Sequence, residues 1–259
     1  MSRHTGAVSA LARALLVFGL VLPSIIRADE ALVAVATNFV FTANELEQAF
    51  EQESPHRLTI TSGATGKLYA QVRNGAPYDV LLAADQERPS LLEEEGLAVR
   101  GSRFTYADGR LVVWSLRKDR IGATVKETLQ QPGIRKLAIA NPQLAPYGVA
   151  AMQVLSGLGV FDAMRDLLVT GENVGQAFTL VATGNADLGL VALSQVRAAE
   201  TGKRGASLEV DPALYAPIRQ DAVLLRHGAD NPAAQAFLAW IKGPAARRLI
   251  ADHGYGSFD

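Results

Sequence analysis

The stretch Val33-Ala34-Val35-Ala36-Thr37-Asn38-Phe39 decides the fold of this chain, because an apolar strand there gives way at once to a helical pattern. Its first four residues are all apolar, which is typical of a strand covered on both faces. Three later junctions are of the same kind: Gly63-Ala64-Thr65-Gly66, Pro146-Tyr147-Gly148 and Asn173-Val174-Gly175-Gln176. A helix N-terminus carries unpaired N–H groups and a partial positive charge. Four such junctions in one chain therefore indicate a small anion held between helix N-termini.

Short apolar runs alternate with amphipathic helical patterns along the rest of the chain. The predicted strands are residues 31–36, 58–61, 79–84, 111–115, 136–140, 188–192 and 221–225, and the predicted helices include 43–53, 67–74, 148–158 and 175–184. This alternation predicts an open α/β fold with mostly parallel sheets, in which ligands lie beyond the carboxyl ends of the strands. Thr42 and Glu45 form a capping box, which predicts where the first long helix begins. A C-terminal helical segment, 231–250, breaks at Gly243-Pro244.

The N-terminal residues 1–28 have the pattern of a secretory signal peptide. Arg3 and Arg13 are basic, residues 14–26 are an apolar run with few interruptions, and a small residue, Ala28, precedes the first acidic residues. An uncleaved anchor is the alternative, but the run is short for a bilayer span and contains Pro23. We therefore expect the mature chain to begin near residue 29, outside the cytoplasm.

The composition excludes several classes of function. Cysteine is absent, which excludes disulfides, thiolate metal sites and a cysteine nucleophile. Removal of residues 1–28 takes away three of the 25 basic residues and no acidic one, so 22 remain against 26 acidic residues, a net charge of −4. Nucleic-acid binding is not expected, because it requires a clustered basic surface. Local dipoles, rather than overall charge, must attract an anion.

Each junction also has a structural interpretation, because Thr and Asn are common N-caps and glycines serve tight turns. The segment around Gly66-Lys67 also resembles a nucleotide phosphate loop. Thr61, however, stands where that motif requires Gly, and Leu68 where it requires Ser or Thr, so a magnesium ligand would be missing. Only the combination of four junctions favours an anion site.

Signs of catalysis are few. The four histidines are scattered without zinc-ligand spacing, and no Gly-x-Ser-x-Gly motif occurs. Asp79, Asp85 and Asp187 lie near strand ends, where a carboxylate pair could perform acid–base chemistry, although helix caps or turns are the favoured interpretation. A secreted α/β hydrolase therefore stays as the alternative from a different class.

Several segments, in order and spacing, resemble the periplasmic molybdate-binding proteins of ABC importers. Besides the four junctions, they are residues 74–80, 84–85, 101–107, 141–142, 145–148, 186–189 and 242–244, and the pair Gly254-Tyr255. The resemblance covers essentially the whole mature chain. It implies two hinged lobes, each a mostly parallel sheet flanked by helices, with the ligand in the cleft between them. We expect lobe 1 to comprise residues 30–112 plus 220–259, and lobe 2 residues 113–219.

The resemblance also implies which residues bind an unprotonated tetrahedral dianion, molybdate or tungstate. The first contact falls at Asn38, expected to donate from its side chain, with Thr37 beside it, and the second at Thr65. The third is the backbone around Tyr147, and the fourth is the N–H of Val174. No cofactor, metal ion or catalytic residue is implied.

One position departs from the pattern. Many members place a Tyr where this chain has Ala192, so we expect Tyr147 to take its role from the opposite side. The implied function is capture by hinge closure and delivery to a membrane permease by a monomeric periplasmic protein. A receptor for sulfate or another tetrahedral oxyanion is the alternative within binding proteins.

Overall fold

The computed structural model describes residues 28–199 and 204–256. These residues form two five-stranded sheets. The strands are β1 (Glu30–Ala36), β2 (Arg57–Gly63), β3 (Val80–Leu82), β4 (Phe104–Gly109), β5 (Leu111–Ser115), β6 (Leu137–Ala140), β7 (Leu168–Gly171), β8 (Leu188–Ala192), β9 (Ala206–Glu209) and β10 (Ile218–Leu224). The first sheet has the order β2-β1-β3-β10-β4, and the second has the order β7-β6-β8-β5-β9.

Helices flank both sheets. They are α1 (Val40–Glu53), α2 (Thr65–Arg73), α3 (Glu87–Glu94), α4 (Val125–Leu129), α5 (Pro146–Gly157), α6 (Phe161–Met164), α7 (Val174–Ala182), α8 (Leu193–Ala198), α9 (Pro232–Trp240) and α10 (Pro244–Asp252). A short 3-10 turn, Thr37–Phe39, joins β1 to α1. The helices predicted from the sequence are present, with ends displaced by a few residues.

Both sheets are mixed, and they share one pattern of strand directions. In each, two neighbouring pairs are parallel and two are antiparallel. Four of the five strands consequently run in one direction, and the strand in fourth place, β10 or β5, runs against them. Those two strands lie where the chain passes between the sheets. It passes from the first sheet to the second directly from β4 to β5, and it returns from β9 to β10. The expected mostly parallel sheets are therefore mixed at the strands that join the two halves.

The strands that the sequence did not predict all lie at sheet edges. They are β4, β7 and β9. Residues of β9 alternate between half-buried and exposed, and β7 ends in Thr170 and Gly171. An edge strand needs no continuous apolar run, because only part of its surface is covered. The central strands β1, β3, β6 and β8, by contrast, are largely apolar, and β5 and β8 are buried along their whole length.

The opening strand is covered on both faces, as predicted. Val33 and Val35 pack in the aromatic core formed with α1, α9 and α10, whereas Ala34 between them packs in a second core with α2 and α3. The second sheet has its own core, in which Trp114 stacks on Phe178 with ring centroids 4.5 Å apart. Separate cores allow each half to hold its share of the site rigidly.

The predicted capping box is wrong. Helix α1 begins at Val40, so Thr42 lies inside it. The Thr42 hydroxyl lies 2.9 Å from Nδ1 of His253, and a carboxylate oxygen of Glu45 lies 3.0 Å from its Nε2. The two side chains thus bind the C-terminal segment, a partner 211 residues along the chain that no local motif reveals.

The chain passes from the first sheet to the second at Arg110 and returns between residues 209 and 218. Residues 111–112 therefore pair in the second sheet and 218–219 in the first, one strand end away from the expected lobe boundaries. The division into lobes itself stays a prediction, and the predicted signal peptide lies outside the described residues except for Ala28. Among the described helices, none alone is long and apolar enough to cross a membrane; Pro146–Gly157 and Phe161–Leu167 reach that length and composition only as a pair bent by 118°.

Candidate functional site

A small cavity at the carboxyl ends of β1, β2 and β3 brings together all five predicted site residues. Its lining consists of Ala36, Thr37, Asn38, Gly63, Ala64, Thr65, Ala84, Ala145, Pro146, Tyr147 and Val174. These residues come from both halves of the molecule. The cavity volume is about 10 Å³, far below the roughly 300–1,000 Å³ of sites for drug-sized ligands. The space therefore suits a small ion and excludes a sugar, a nucleotide or a peptide.

Three of the four helical starts at the cavity have alanine as the N-cap. Ala36, Ala64 and Ala145 all have extended backbone, and in the described structure no side chain caps the turn or helix that follows. Thr37 and Thr65 therefore stand after the cap, and the interpretation of these threonines as N-caps is wrong. Because an alanine cannot accept a hydrogen bond with its side chain, the N–H groups of Thr65 and Tyr147, in the first turns of α2 and α5, have no capping side chain.

The fourth start, that of α7, has a side-chain cap. The cap binds a later N–H group and leaves the first two N–H groups of the helix unused. The side chain of Asn173 accepts a hydrogen bond from the backbone N–H of Gln176 at 3.0 Å. The N–H groups of Val174 and Gly175 precede that bond, and Val174 is 2% exposed. A Cβ at Gly175 would lie 3.4 Å from Cβ of Thr37, so the two halves are close here. This is the expected position of the fourth contact.

Thr65 is oriented by the protein to donate from its hydroxyl. Its Oγ1 accepts a hydrogen bond from the N–H of Ala84 at 3.1 Å, and the residue is 1% exposed. A hydroxyl has one hydrogen to donate besides its acceptor positions. With an acceptor position occupied by Ala84, that hydrogen is directed away from β3. Thr65 thus combines a side-chain donor with a place in the first turn of α2.

Asn38 lines the cavity, but its side chain is not the donor that the sequence predicted. Its Nδ2 donates to Oε1 of Gln220 at 2.8 Å and to Oη of Tyr255 at 3.2 Å. Both amide hydrogens are therefore occupied, as is usual for a buried amide. Ser194 Oγ also donates to the carbonyl oxygen of Asn38 at 2.9 Å. The contribution left to Asn38 is its backbone N–H at the start of the 3-10 turn.

Tyr147 contributes both its backbone and its phenol to this region. Its N–H lies in the first turn of α5, after Pro146, which has no N–H. Its Oη accepts from Nε2 of Gln220 at 3.5 Å. Burial raises the pKa of the Tyr147 phenol well above its usual value, with the phenol of Tyr255 adding to the shift. Tyr147 consequently stays neutral and keeps a hydrogen that it can donate.

The described residues that line the cavity include no charged side chain. Asp85 and Arg88 form an ion pair with each other outside the lining, and Arg88 lies against Gly66. Burial raises the pKa of Asp85, an effect that Arg88 opposes. The site therefore attracts an anion with N–H and O–H dipoles, as the negative overall charge of the mature chain requires.

Two contacts join the halves beside the cavity. The N–H of Gly66 donates to the carbonyl oxygen of Leu144 at 2.9 Å. Nζ of Lys67 lies 2.8 Å from a carboxylate oxygen of Glu172, and both side chains are partly exposed. Lys67 therefore bridges α2 and the segment before α7. These contacts hold the two groups of donors around one space.

A family model for bacterial extracellular solute-binding proteins matches residues 31–256. The chain belongs to this family.

Two relatives and one solved structure agree with that membership. The chain is 48% identical to the molybdate-binding protein ModA of Azotobacter vinelandii over 233 residues, which cover 89% of this chain and 91% of the relative. It is 46% identical to ModA of Rhodobacter capsulatus over 93% of this chain and 92% of the relative. The periplasmic molybdate-binding protein of Azotobacter vinelandii superimposes with a TM-score of 0.84 at 40% identity, covering 88% of this chain and all of that one. The expected two-lobed α/β binding-protein fold is confirmed.

Family membership also agrees with the arrangement of the acidic residues. Asp79 accepts from the N–H of Leu32 and pairs with His227, and Asp187 accepts from two backbone N–H groups, those of Arg135 and Lys136. Asp85 accepts from the N–H of Arg88. Each carboxylate thus has its own structural partners, so the interpretation as an acid–base pair is wrong. The relatives are solute-binding proteins, as this chain is, and not enzymes.

Sequence reasoning missed the buried polar residues behind the cavity of this solute-binding protein. Tyr106, Ser194, Gln220 and Tyr255 are each at most 5% exposed and are joined by hydrogen bonds. They come from β4, α8, β10 and the C-terminal segment. No local pattern brings them together, although a buried Gln within the strand Ile218–Leu224 is an unusual choice that could have indicated a special role.

Proposed function

We propose that this solute-binding protein captures molybdate, and tungstate by the same geometry, and delivers it to the permease of an ABC importer. The observation that carries the proposal is the convergence of four helical N-termini on one small cavity lined by uncharged residues. Helix N-termini favour anions through their N–H groups and dipoles. Molybdate and tungstate are doubly charged tetrahedral oxyanions of nearly equal size, so the same donors serve both.

The donors suffice for tight binding. They comprise the hydroxyl of Thr65, the phenol of Tyr147 and backbone N–H groups at Thr37–Asn38, Tyr147 and Val174. Hydrogen bonds to a charged group contribute roughly 1.5–3 kcal/mol each. About six of them contribute roughly 9–18 kcal/mol, which offsets the cost of ordering and of lost translational freedom, estimated at about 4–15 kcal/mol.

The same donors discriminate among oxyanions. Hydrogen phosphate carries a proton that requires an acceptor, and no carboxylate occurs among the described lining residues. An ion with an unmet hydrogen bond in a buried site loses about 1–3 kcal/mol of binding free energy. Sulfate carries no proton near neutral pH, so its exclusion depends on its smaller size, which leaves some donors too distant.

Capture would proceed by closure of two lobes, residues 30–112 plus 220–259 and residues 113–219. The first presents Thr37, Asn38 and Thr65, and the second presents Tyr147 and Val174. Neither group alone surrounds an ion, so a bound anion stabilises the arrangement in which both groups contact it. The Gly66–Leu144 and Lys67–Glu172 contacts are available only in that arrangement, and they add to its stability.

The proposal extends to compartment and partners. Residues 1–28 act as a signal peptide that directs the chain to the periplasm, where it works as a monomer. The permease in the inner membrane receives the loaded protein. Support comes from the family, whose members are extracellular, and from the periplasmic relative of known structure.

Calorimetric titration of residues 29–259 with molybdate, tungstate, sulfate and phosphate tests the proposal. We expect molybdate and tungstate to bind with a Kd of about 1 μM or tighter, a binding free energy near −8 kcal/mol or better. Phosphate is expected to bind about 5- to 150-fold more weakly. Tight sulfate binding without a molybdate response would replace the proposal with a sulfate receptor, and the absence of any oxyanion binding would reject it.

A further inference from the structure

Gln220 occupies an unusual place, because it is fully buried between the two halves of the proposed site. It lies in β10, the strand that returns from the second half to the first sheet. The pairing of β10 with β4 shifts register between Gln220 and Asp221. Such irregularities re-aim side chains, and here the Gln220 amide reaches residues of both halves.

The hydrogen bonds of Gln220 determine which way its amide points. Its Oε1 accepts from Nδ2 of Asn38 at 2.8 Å and lies 3.1 Å from Oη of Tyr106, whose one hydrogen also has the carbonyl oxygen of Ala83 as an acceptor at 3.0 Å. The bond from Asn38 alone requires the amide oxygen to face that side chain. The Nε2 group must then face the other way, where it donates to Oη of Tyr147 at 3.5 Å.

A glycine permits this meeting of side chains. A Cβ at Gly109 would collide with both Oη of Tyr147 and Nε2 of Gln220. Gly109 ends β4, directly before the crossing to the second half. The backbone at the end of β4 thus lies so close to the phenol and the amide that a side chain there would displace them.

We propose that Gln220 is a positioning residue that orients the Tyr147 hydroxyl toward the bound oxyanion while it holds Asn38 in place. An accepted hydrogen bond from Gln220 leaves the Tyr147 oxygen with its own hydrogen to donate elsewhere, and Tyr147 lines the cavity. The bond to Asn38 fixes the 3-10 turn that presents backbone N–H groups from the first half. One buried amide therefore sets the donors of both halves. The inference rests on the proposed oxyanion-binding function, and it adds a residue that positions the donors of that site.

A double-mutant cycle separates positioning from general stabilisation. Gln220→Met removes the amide at similar volume, and Tyr147→Phe removes the hydroxyl. We expect each single variant to lower molybdate affinity about tenfold, the loss of one hydrogen bond to a charged group. Because Gln220→Met acts in part through the Tyr147 hydroxyl, the double variant should lose less than the product of the two single effects.

Tyr106→Phe is the matched control, since it removes another partner of Gln220 and leaves the bond from Asn38 to Oε1. It should lower thermal stability and change molybdate affinity less than about threefold. Multiplicative losses in the cycle, or unchanged affinity in Gln220→Met, would overturn the positioning role while wild-type binding upholds the proposed function. If wild type binds no oxyanion, both are overturned.

Gln220→Met is also followed by circular dichroism. If that variant does not fold, Tyr147→Phe alone decides. A loss of about tenfold with a normal fold supports the directed hydroxyl, and unchanged affinity overturns it.

Discussion

Two helices that start at the cavity, α2 and α5, differ from two that start elsewhere, α9 and α4, in how their first N–H groups are satisfied. Helix α9, which packs on the first sheet away from the site, begins at Asn231, whose side chain accepts from the N–H of Ala233 at 2.9 Å. Helix α4 begins in the same manner at Thr124. At the cavity, α2 and α5 begin after Ala64 and Ala145, and in the described structure no side chain satisfies their N–H groups.

The alanine caps lower helix stability, and they leave donors for a ligand. A capping side chain is typically worth about 1 kcal/mol, so an alanine at the N-cap gives up stability that α9 retains. At these two starts the N–H groups of Thr65 and Tyr147 remain for an anion, which would bind them more strongly than a neutral cap, whereas the N–H of Gly66 already donates to the carbonyl oxygen of Leu144. At α2 and α5 the missing cap coincides with the proposed ligand site, whereas α8, which also starts after an alanine without a side-chain cap, begins outside the cavity lining.

A carboxylate at the N-cap of α2 should have the largest effect on molybdate affinity. Ala64→Asp supplies a cap for α2 and a negative charge beside the dianion. Unit charges about 4 Å apart interact by about 4 kcal/mol near a protein surface, so molybdate affinity should fall at least about 1,000-fold. Calorimetry measures the loss. Ala64→Asn is the matched control, because it supplies a neutral cap of the same shape and should lose far less; equal losses in the two variants would contradict a role for charge.

Removing the Thr65 hydroxyl should have the next largest effect. Thr65→Val keeps the volume but loses one donor to the anion, which should weaken binding by roughly 10- to 100-fold. It also leaves the buried N–H of Ala84 without its acceptor, so the free energy of unfolding should fall by about 1–3 kcal/mol. Thr65→Ser, which keeps the hydroxyl, should bind nearly as wild type. If valine and serine bind molybdate equally, the hydroxyl does not contact the ligand.

The reverse experiment at a distal helix should affect stability alone. Asn231→Ala gives α9 the alanine cap that α2 has naturally. The free energy of unfolding in urea should fall by about 0.5–2 kcal/mol, with molybdate affinity within about twofold of wild type. A large change in affinity would show that distal caps act on the site and would break the distinction between the two kinds of helix.

Changing pH should have the smallest effect on binding. The described lining residues carry no ionised group, and burial raises the pKa of the Tyr147 phenol. A phenol donates below its pKa, and a raised pKa moves the loss of its hydrogen above the usual value of about 10. Affinity should therefore stay within about twofold between pH 6.5 and 9 in calorimetric titrations at constant ionic strength. A tenfold fall by pH 9 would indicate an ionised group in the site.

How much could be predicted depends on whether the signal was local. The strand over Ala31–Ala36 and the helical start after it are encoded by adjacent residues, and so are the central strands. Edge strands such as β7 were missed because half-covered strands need no apolar run. The cavity lining followed from four local junctions together with the family resemblance.

Features that depend on distant partners could not be read from the sequence. The side chain of Asn38 was expected to donate to a ligand, but it is bound by Gln220, 182 residues away. Thr42 and Glu45 matched a capping box, yet both bind His253. In each case the polar side chain binds a partner that is distant in sequence and not the partner that the local pattern predicted.

The most direct test of the uncharged oxyanion site is a crystal structure of residues 29–259 grown with molybdate, with anomalous differences measured at the molybdenum edge. We expect one peak in the cavity, with oxygens within about 3 Å of the Thr65 hydroxyl and of the Val174 N–H, the distance of a charge-assisted hydrogen bond. A peak elsewhere, such as beside Arg219 or Arg135, with none in the cavity, would contradict the account.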